Sequence, residues 1–468
     1  MSLEDKLYPL LRVYEAAPQP VKSLVGRAYR AIPARLRHGK EYERFQREAA
    51  ASESWSPEEI ATYQLKELRE TLLAAGESSF YRERFQAVGV DPRELESLEQ
   101  LKDYPLLTKQ DLIASREEMA NPRYGAADRL HITTGGSSGV PVGFYLQKGV
   151  SRPKEQAYLE AQWSRRGYRV GDKVAVVRGM VTSSKARGGI SYYDATRNWL
   201  VLSSYHLTPE RMDEYVTALN RFQPRHLHMY PSAALILARL LEQKGLQLAF
   251  KPVSLLCGSE KLTLETQQYL ERVFGAPVFH WYGHSERAVL AGQGRQSNLL
   301  HFWPGYGYVE FGAPTEEGFQ EVIGTTFHNH VMPLVRYRTG DYVKLAPQGA
   351  GEWPWPAVEA VAGREYEFLV SATGRQISLT AINMHDRIFD GLCAVQFYQA
   401  EPGKVELRYQ AGPGWGGATQ GIQDGLLRKL GDDFDLALRE VKEVEKTTAG
   451  KHKWLVKGEG LGKLGIRN

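Results

Sequence analysis

From Thr133 to Pro141 the chain reads Thr-Thr-Gly-Gly-Ser-Ser-Gly-Val-Pro, four hydroxyls among three glycines. Glycines let a backbone turn successive amides toward one point, and hydroxyls add donors, which together make a cradle for a polyphosphate. The same residues also make an ordinary turn, and the absence of a following Gly-Lys-Ser/Thr separates the segment from a Walker loop. Gly135, Ser137 and Gly139 further satisfy the Gly-x-Ser-x-Gly elbow of serine hydrolases. That elbow requires a helix directly afterwards, whereas residues 141–146 open with proline and alternate as a strand does. The reading is therefore strand, loop, strand, and the hydrolase stands second. Gly460, Gly462 and Gly465 match a dinucleotide fingerprint in form, but only three residues follow, too few to open a helix.

Three more segments place reactive groups at turns. Tyr282-Gly283-His284-Ser285-Glu286 follows an apolar run, so a ring able to stack on a base and a carboxylate able to hold Mg2+ emerge at the loop end of a strand. A surface loop with a buried tyrosine is the plainer reading. In Tyr337-Arg338-Thr339-Gly340-Asp341 the aspartate either caps a turn or grips ribose hydroxyls. Thr447-Thr448-Ala449-Gly450-Lys451 ends in a lysine on a glycine turn, where most lysines are merely solvated. His226, His228 and Arg178 lie where substrate could pass, and serve equally well as structural residues.

The elements that must hold these groups follow from periodicity. Apolar runs at 172–179, 226–230, 253–257 and 277–281 alternate with helical stretches at 208–222, 232–244 and 263–274. Strand-helix alternation predicts an α/β fold with a parallel, doubly wound sheet whose ligand site lies beyond the carboxyl ends of its strands. Runs at 306–311, 321–327 and 334–345 predict a more antiparallel β subdomain, followed by a Gly/Pro/Trp-rich loop at 349–356. After Gly363-Arg364, a strand at 405–409 and a helix at 420–430 suffice for a small α+β domain. Upstream, 57–88 reads as a helix pair. The basic stretch 20–48 reads as a solvated helical face on the main body, with a membrane-surface role as the other reading. The expected division is an N-terminal helical extension at 1–56, a large domain at 57–363 and a small one at 364–468.

Composition narrows the classes. A chain of 468 residues exceeds one hydrophobic core. Its 59 basic and 55 acidic residues are too evenly matched for a nucleic-acid footprint. Cys257 and Cys393, the only cysteines, exclude a disulfide framework and a four-cysteine zinc site. The first twenty residues lack the apolar core of a signal peptide, and the longest apolar stretch, 233–241, is interrupted by Arg239. The expectation is a cytoplasmic protein without a membrane span.

In order and spacing, the hydroxyl-glycine loop, Tyr-Gly-x-Ser-Glu, Tyr-Arg-Thr-Gly-Asp, Gly-Arg and the late Gly-Lys resemble the adenylate-forming superfamily of acyl-CoA synthetases, luciferases and peptide-synthetase activation domains. Pro105-Leu106-Leu107-Thr108-Lys109, Tyr230-Pro231-Ser232, Gly258-Ser259-Glu260 and Met332-Pro333-Leu334-Val335-Arg336-Tyr337 look most like the phenylacetate-CoA ligase group and its capsule-biosynthesis, CapK-like branch. The resemblance covers roughly residues 60 to 455 and implies an acyl-CoA synthetase-like fold: a large domain with doubly wound sheets plus a β subdomain, and a small mobile α+β domain. It implies an AMP-forming ligase using ATP and Mg2+, with a small carboxylic acid as substrate and CoA, or else an amine, as acceptor; a monomer and a homodimer fit equally. By motif, Thr134, Gly136, Ser137, Ser138 and Gly139 would contact the ATP phosphates and Glu286 would hold Mg2+. Tyr282, Gly258, Ser259 and Glu260 would line the adenine and acyl pocket. Asp341 would take the ribose hydroxyls, Arg364 would support them, and Lys451 would reach in from the small domain. The chain departs from its relatives at Val140, where many have a lysine, at Glu367, near the usual hinge aspartate, and before Gly450, where the common proline is missing.

Overall fold

The computed structural model of the chain describes residues 14, 17–133, 143–178, 189–204, 207, 209–364, 368–374, 376–378, 389, 392–412, 415–446 and 453–458. It opens with helices α1 (Gln19–Ala31), α2 (Ala34–His38), α3 (Lys40–Ser52), α4 (Pro57–Gly76), α5 (Ser79–Val88), α6 (Lys109–Ala114) and α7 (Arg116–Met119). The starts of α4 and α6 are fixed locally: Ser56 and Thr108 each cap the third helical amide, and Glu59 and Asp111 return the bond to the cap backbone. Strands β1 (Arg129–Thr133) and β2 (Gly143–Gln147) pair antiparallel with Thr133 opposite Gly143. The glycine-hydroxyl segment thus joins two strands, as read from sequence, and the element after it is not the helix a hydrolase elbow needs.

The main sheet follows. Its elements are α8 (Ser151–Ser164), β3 (Val174–Arg178), β4 (Ser191–Asp194), β5 (Trp199–Ser203), α9 (Met212–Phe222), β6 (His226–Met229), α10 (Pro231–Gln243), β7 (Ser254–Gly258), α11 (Leu264–Phe274) and β8 (Val278–Gly283). They continue into β9 (Leu290–Gln293), β10 (Leu300–Phe302), β11 (Gly307–Phe311), β12 (Phe319–Thr326), β13 (Tyr337–Leu345) and β14 (Ala357–Arg364). Among the described residues the strands form one ladder in the order β11-β12-β13-β14-β10-β9-β8-β7-β6-β3-β5-β4. Strands β5, β3, β6, β7 and β8 run parallel, and every pairing from β8 outward to β11 is antiparallel. The α/β expectation holds, and the antiparallel region continues the same ladder.

Side-chain alternation explains why helices cover both faces. Ala175 and Val177 of β3 join Leu227, Met229 and Leu255 against Tyr215, Leu237 and Leu270 of α9, α10 and α11. Val174 and Val176 face the other way, with Leu256, Phe279 and Trp281, onto Tyr158 and Trp163 of α8 and Phe45 of α3. A strand buried on both faces is apolar throughout, as the runs in the sequence are. The basic N-terminal helices lie on the body: the backbone of Gly26 abuts Ala195, so closely that a Cβ would sit 2.4 Å from the Ala195 Cβ.

A second, four-stranded sheet, ordered β19-β18-β17-β20, comprises β17 (Leu392–Glu401), β18 (Lys404–Ala411), β19 (Asp435–Glu440) and β20 (Leu455–Lys457), with α12 (Thr419–Leu430) packed on it. It has its own apolar cluster around Phe397, Leu407, Ile422 and Leu426. Strands β15 (Phe368–Val370) and β16 (Gln376–Ser378) pair separately. No helix among the described residues is long and apolar enough to cross a membrane.

Two glycines support the turn after β8. A Cβ at Gly307 would lie 1.8 Å from the Ala288 carbonyl oxygen, and one at Gly324 would lie 2.8 Å from the Ala288 Cβ. Since the obstacle at 307 is backbone, Gly307→Ala is expected to destabilise the protein by about 3 kcal/mol; urea denaturation checks this, and a change below about 0.5 kcal/mol would contradict the packing described.

Candidate active site

The last parallel strand, β8, delivers Tyr282 and Gly283 into a turn closed by the Arg287 amide on the His284 carbonyl at 3.1 Å. Arg287 has a positive φ of 55° and is tied down by donating through Nη1 to the Ser151 carbonyl at 2.7 Å. This bend buries His284 and Glu286, whose Nδ1 and Oε2 lie 3.3 Å apart. From the antiparallel side comes β13. Its Thr339-Gly340 segment bulges, with Gly340 at φ 69°, the pairing with β12 shifting between Glu321 and Ile323, and the Thr339 hydroxyl donating to the Val322 carbonyl at 2.7 Å. Tyr337 and Asp341 stand on either side of that bulge.

The two segments exchange hydrogen bonds reciprocally. The Tyr282 hydroxyl donates to Asp341 Oδ2 at 2.8 Å, and the Tyr337 hydroxyl donates to Glu286 Oε1 at 3.0 Å. Both carboxylates are buried, where an acid without donors is costly, and each takes a phenol from the opposite segment. Tyr337 stood in the quoted motif without a role; its pairing with Glu286 depends on contact across the sheet that no local pattern encodes. Asp341 is register partner to Arg364 at the end of β14; the Arg364 side chain lies outside what is described. The neighbouring arginines serve structure: Arg336 meets Glu310 at 3.0 Å and Arg338 meets Glu321 at 2.7 Å.

Gly258-Ser259-Glu260 closes the ends of β7. The Trp281 indole occupies the space above Gly258, where a Cβ would come within 2.3 Å of the ring. Ser259 holds a positive φ of 68° and accepts from Arg178 Nη2 at 2.8 Å. The Glu260 carboxylate accepts from the amide and hydroxyl of Ser232 at 2.9 and 3.0 Å, placing an anion at the start of α10, where the helix dipole favours one. His226 and His228 part company. His226 is fixed at the amino end of β6 by Ser254 at 2.9 Å and Asp172 at 3.1 Å. His228 sits at the other end among Trp163, Trp199 and Trp281, at centroid distances of 5.0, 6.1 and 5.5 Å.

Thr134, Gly136, Ser137, Ser138, Gly139 and Lys451 lie outside the described residues, as do Val140, Glu367 and Gly450. No group of three or more metal-ligating His, Cys, Asp or Glu side chains occurs among the described residues. One inward carboxylate, Glu286, fits Mg2+ carried by a nucleotide, because that ion keeps waters and phosphate oxygens and needs only one or two protein oxygens.

Removing a phenol from a buried carboxylate has a defined cost. Tyr337→Phe is expected to lower stability by about 1–3 kcal/mol, measured by urea denaturation. A second expectation concerns pH. Burial pushes His280 down from 6.5 to about 4, and its Nε2 lies 3.0 Å from the Glu260 carbonyl, which the neutral ring satisfies as donor. Because the unfolded chain binds the proton first, stability falls as pH drops from 6.5 toward 4. This histidine's share is about 3 kcal/mol, and His280→Gln should flatten that slope in pH-dependent denaturation.

Comparison with known proteins gives the geometry its setting. No family model matches the chain. Protein CapK of Staphylococcus aureus is 25% identical over 298 residues, 63% of this chain and 65% of that protein, just under two thirds of its length. The phenylacetate-coenzyme A ligase of Pseudomonas putida is 27% identical over 337 residues, 68% and 73% of the two chains. A crystal structure of 2-hydroxyisobutyryl-CoA ligase, in its postadenylation state with R3-HIB-AMP, superposes with a TM-score of 0.68 at 17% identity, covering 88% of this chain and 92% of that one, a likeness of fold. In sequence the chain is thus similar to CapK and to the phenylacetate-coenzyme A ligases, and it shares its fold with a structurally characterised acyl-CoA ligase.

Proposed function

We propose that the protein activates a carboxylic acid with ATP, forming an acyl-adenylate and releasing pyrophosphate, and then passes the acyl group to the thiol of CoA. The observation that carries this reading is the reciprocal pairing of Tyr282 with Asp341 and Tyr337 with Glu286. It holds two oriented carboxylates at the carboxyl edge of the parallel strands, where open α/β sheets take their ligands. The similarity to phenylacetate-coenzyme A ligase supports the acceptor.

The chemistry is governed by charge, since a carboxylate oxygen must reach the α-phosphorus of an anionic nucleotide. Asp341 accepts the ribose hydroxyls, with Arg364 beside it. Tyr282, Gly258 and Ser259 form walls for the adenine and the acyl group, and Glu260 keeps the start of α10 in place behind them. The backbone amides and hydroxyls of Thr134, Gly136, Ser137, Ser138 and Gly139 cradle the phosphates, without the lysine that Val140 replaces. Glu286 holds Mg2+, which when bound offsets phosphate charge. Lys451 donates to the oxygens on which negative charge develops. The segment from 364 onward acts as a mobile unit turning about 363–367, which withdraws Lys451 and admits the acceptor.

The test is ATP-pyrophosphate exchange over a broad panel of acids, with hydroxylamine trapping of the activated acyl group. Exchange with at least one acid is expected, and its absence across the panel overturns the reading. Glu286→Gln should lower exchange by about 100-fold or more. Lys451→Ala should abolish exchange yet leave transfer from a supplied adenylate within about tenfold of the parent; equal loss of both steps speaks against the mobile unit. Supplying CoA and simple amines in parallel separates thioester from amide formation.

A further inference from the structure

We infer that Arg178 receives a second carboxylate on the acid, so that the substrate is a dicarboxylic acid whose far end is read as an anion. The inference rests on the adenylation reading above and adds the class of acid.

Arg178 is the last residue of β3 and opens onto the carboxyl edge shared by β6, β7 and β8. Its guanidinium lies 4.3 Å over the Tyr230 ring. Nη2 donates to the Ser259 hydroxyl at 2.8 Å, Nη1 stands 3.3 Å from His228 Nε2, and Nε is shielded from solvent with no hydrogen-bond partner among the described residues. None of these neighbours carries negative charge. Burial, reinforced by the charge of Arg178, holds His228 well below the usual histidine range, so its ring is neutral.

Four other buried or half-buried arginines in this body meet a carboxylate, while others, such as Arg37 and Arg166, donate to backbone carbonyls. Arg165 meets Glu53 at 2.9 Å, Arg287 lies 3.7 Å from Glu155, Arg336 meets Glu310 at 3.0 Å and Arg338 meets Glu321 at 2.7 Å. Arg178 has no such partner among the described residues. The nearest acid in sequence to Ser259, Glu260, has its carboxylate oxygens on Ser232. A shielded cation without counter-charge is costly, and a ligand that supplies the charge recovers that cost on binding. Tyr230 and Ser259 hold the guanidinium plane ready, the second from a left-handed backbone that a serine adopts at a penalty.

The reacting carboxylate cannot be the partner. It has to meet the nucleotide near Glu286 and Asp341, which belong to the turn after β8 and to β13. Strand β3 lies three positions from β8 in the sheet, about 14 Å at ordinary strand spacing. The anion at Arg178 is therefore a second one at the other end of the acid. A planar guanidinium matches a carboxylate best.

The experiment compares matched acids in ATP-pyrophosphate exchange: hexanoate with adipate, benzoate with terephthalate, and phenylacetate with 4-carboxyphenylacetate. For the acid pair that fits, kcat/KM should favour the dicarboxylic member by about 100-fold or more. Arg178→Met should lower that ratio by a similar factor, and Arg178→Lys should restore part of it. The wild-type ratio needs no variant to fold. Preference for the monocarboxylic members, or a ratio that Arg178→Met leaves unchanged, overturns the inference while the adenylation reading stands. Exchange with no acid in the panel overturns the adenylation reading itself.

Discussion

Two phenols crossing between two segments hold this site together. Tyr282 leaves the last parallel strand and bonds the aspartate of β13, while Tyr337 of β13 bonds the glutamate of the turn after β8. Each segment therefore satisfies the buried acid of the other, and neither can shift without stranding a charge. The exchange happens where the ladder changes from parallel to antiparallel pairing. Beyond this junction no helix lies between successive strands from β9 to β14 among the described residues, and two oriented carboxylates stand beside it.

The rest of the body keeps that junction in register. Gly307 and Gly324 let β11 and β12 come against Ala288, so the turn bearing Glu286 has backbone behind it. On the opposite side, Arg165 is packed between Trp303 and Trp353, each 4.3 Å from its guanidinium carbon, and is neutralised by Glu53 of the N-terminal helical region. Lys154 of α8, pushed down by burial, spends its ammonium on the carbonyls of Tyr306 and Phe327. These buried cations meet carboxylate or carbonyl oxygen within the protein, whereas Arg178 meets a hydroxyl, an imidazole and an aromatic ring among the described residues.

Much of the frame was legible because the parallel strands are buried on both faces and so read as unbroken apolar runs between amphipathic helices. Strands β9 and β10, four and three residues long, are too short for periodicity to speak, and β14 was not anticipated because its pairing with β10 and β13 is a property of the whole ladder. Among site residues, Glu286 and Asp341 announced themselves through motif and spacing. Tyr282 did as well, but the pairings did not, since Tyr282 and Asp341 are 59 positions apart and Tyr337 and Glu286 are 51 apart. His226 and His228 looked alike in sequence, yet two residues along a strand carried one to the amino end and the other to the aromatic box.

Gly258 gives the site a historical rigidity. With the Trp281 indole seated on its backbone, any side chain larger than hydrogen would evict a ring that also walls His228. Inherited variation at that position is therefore closed to descendants of this chain.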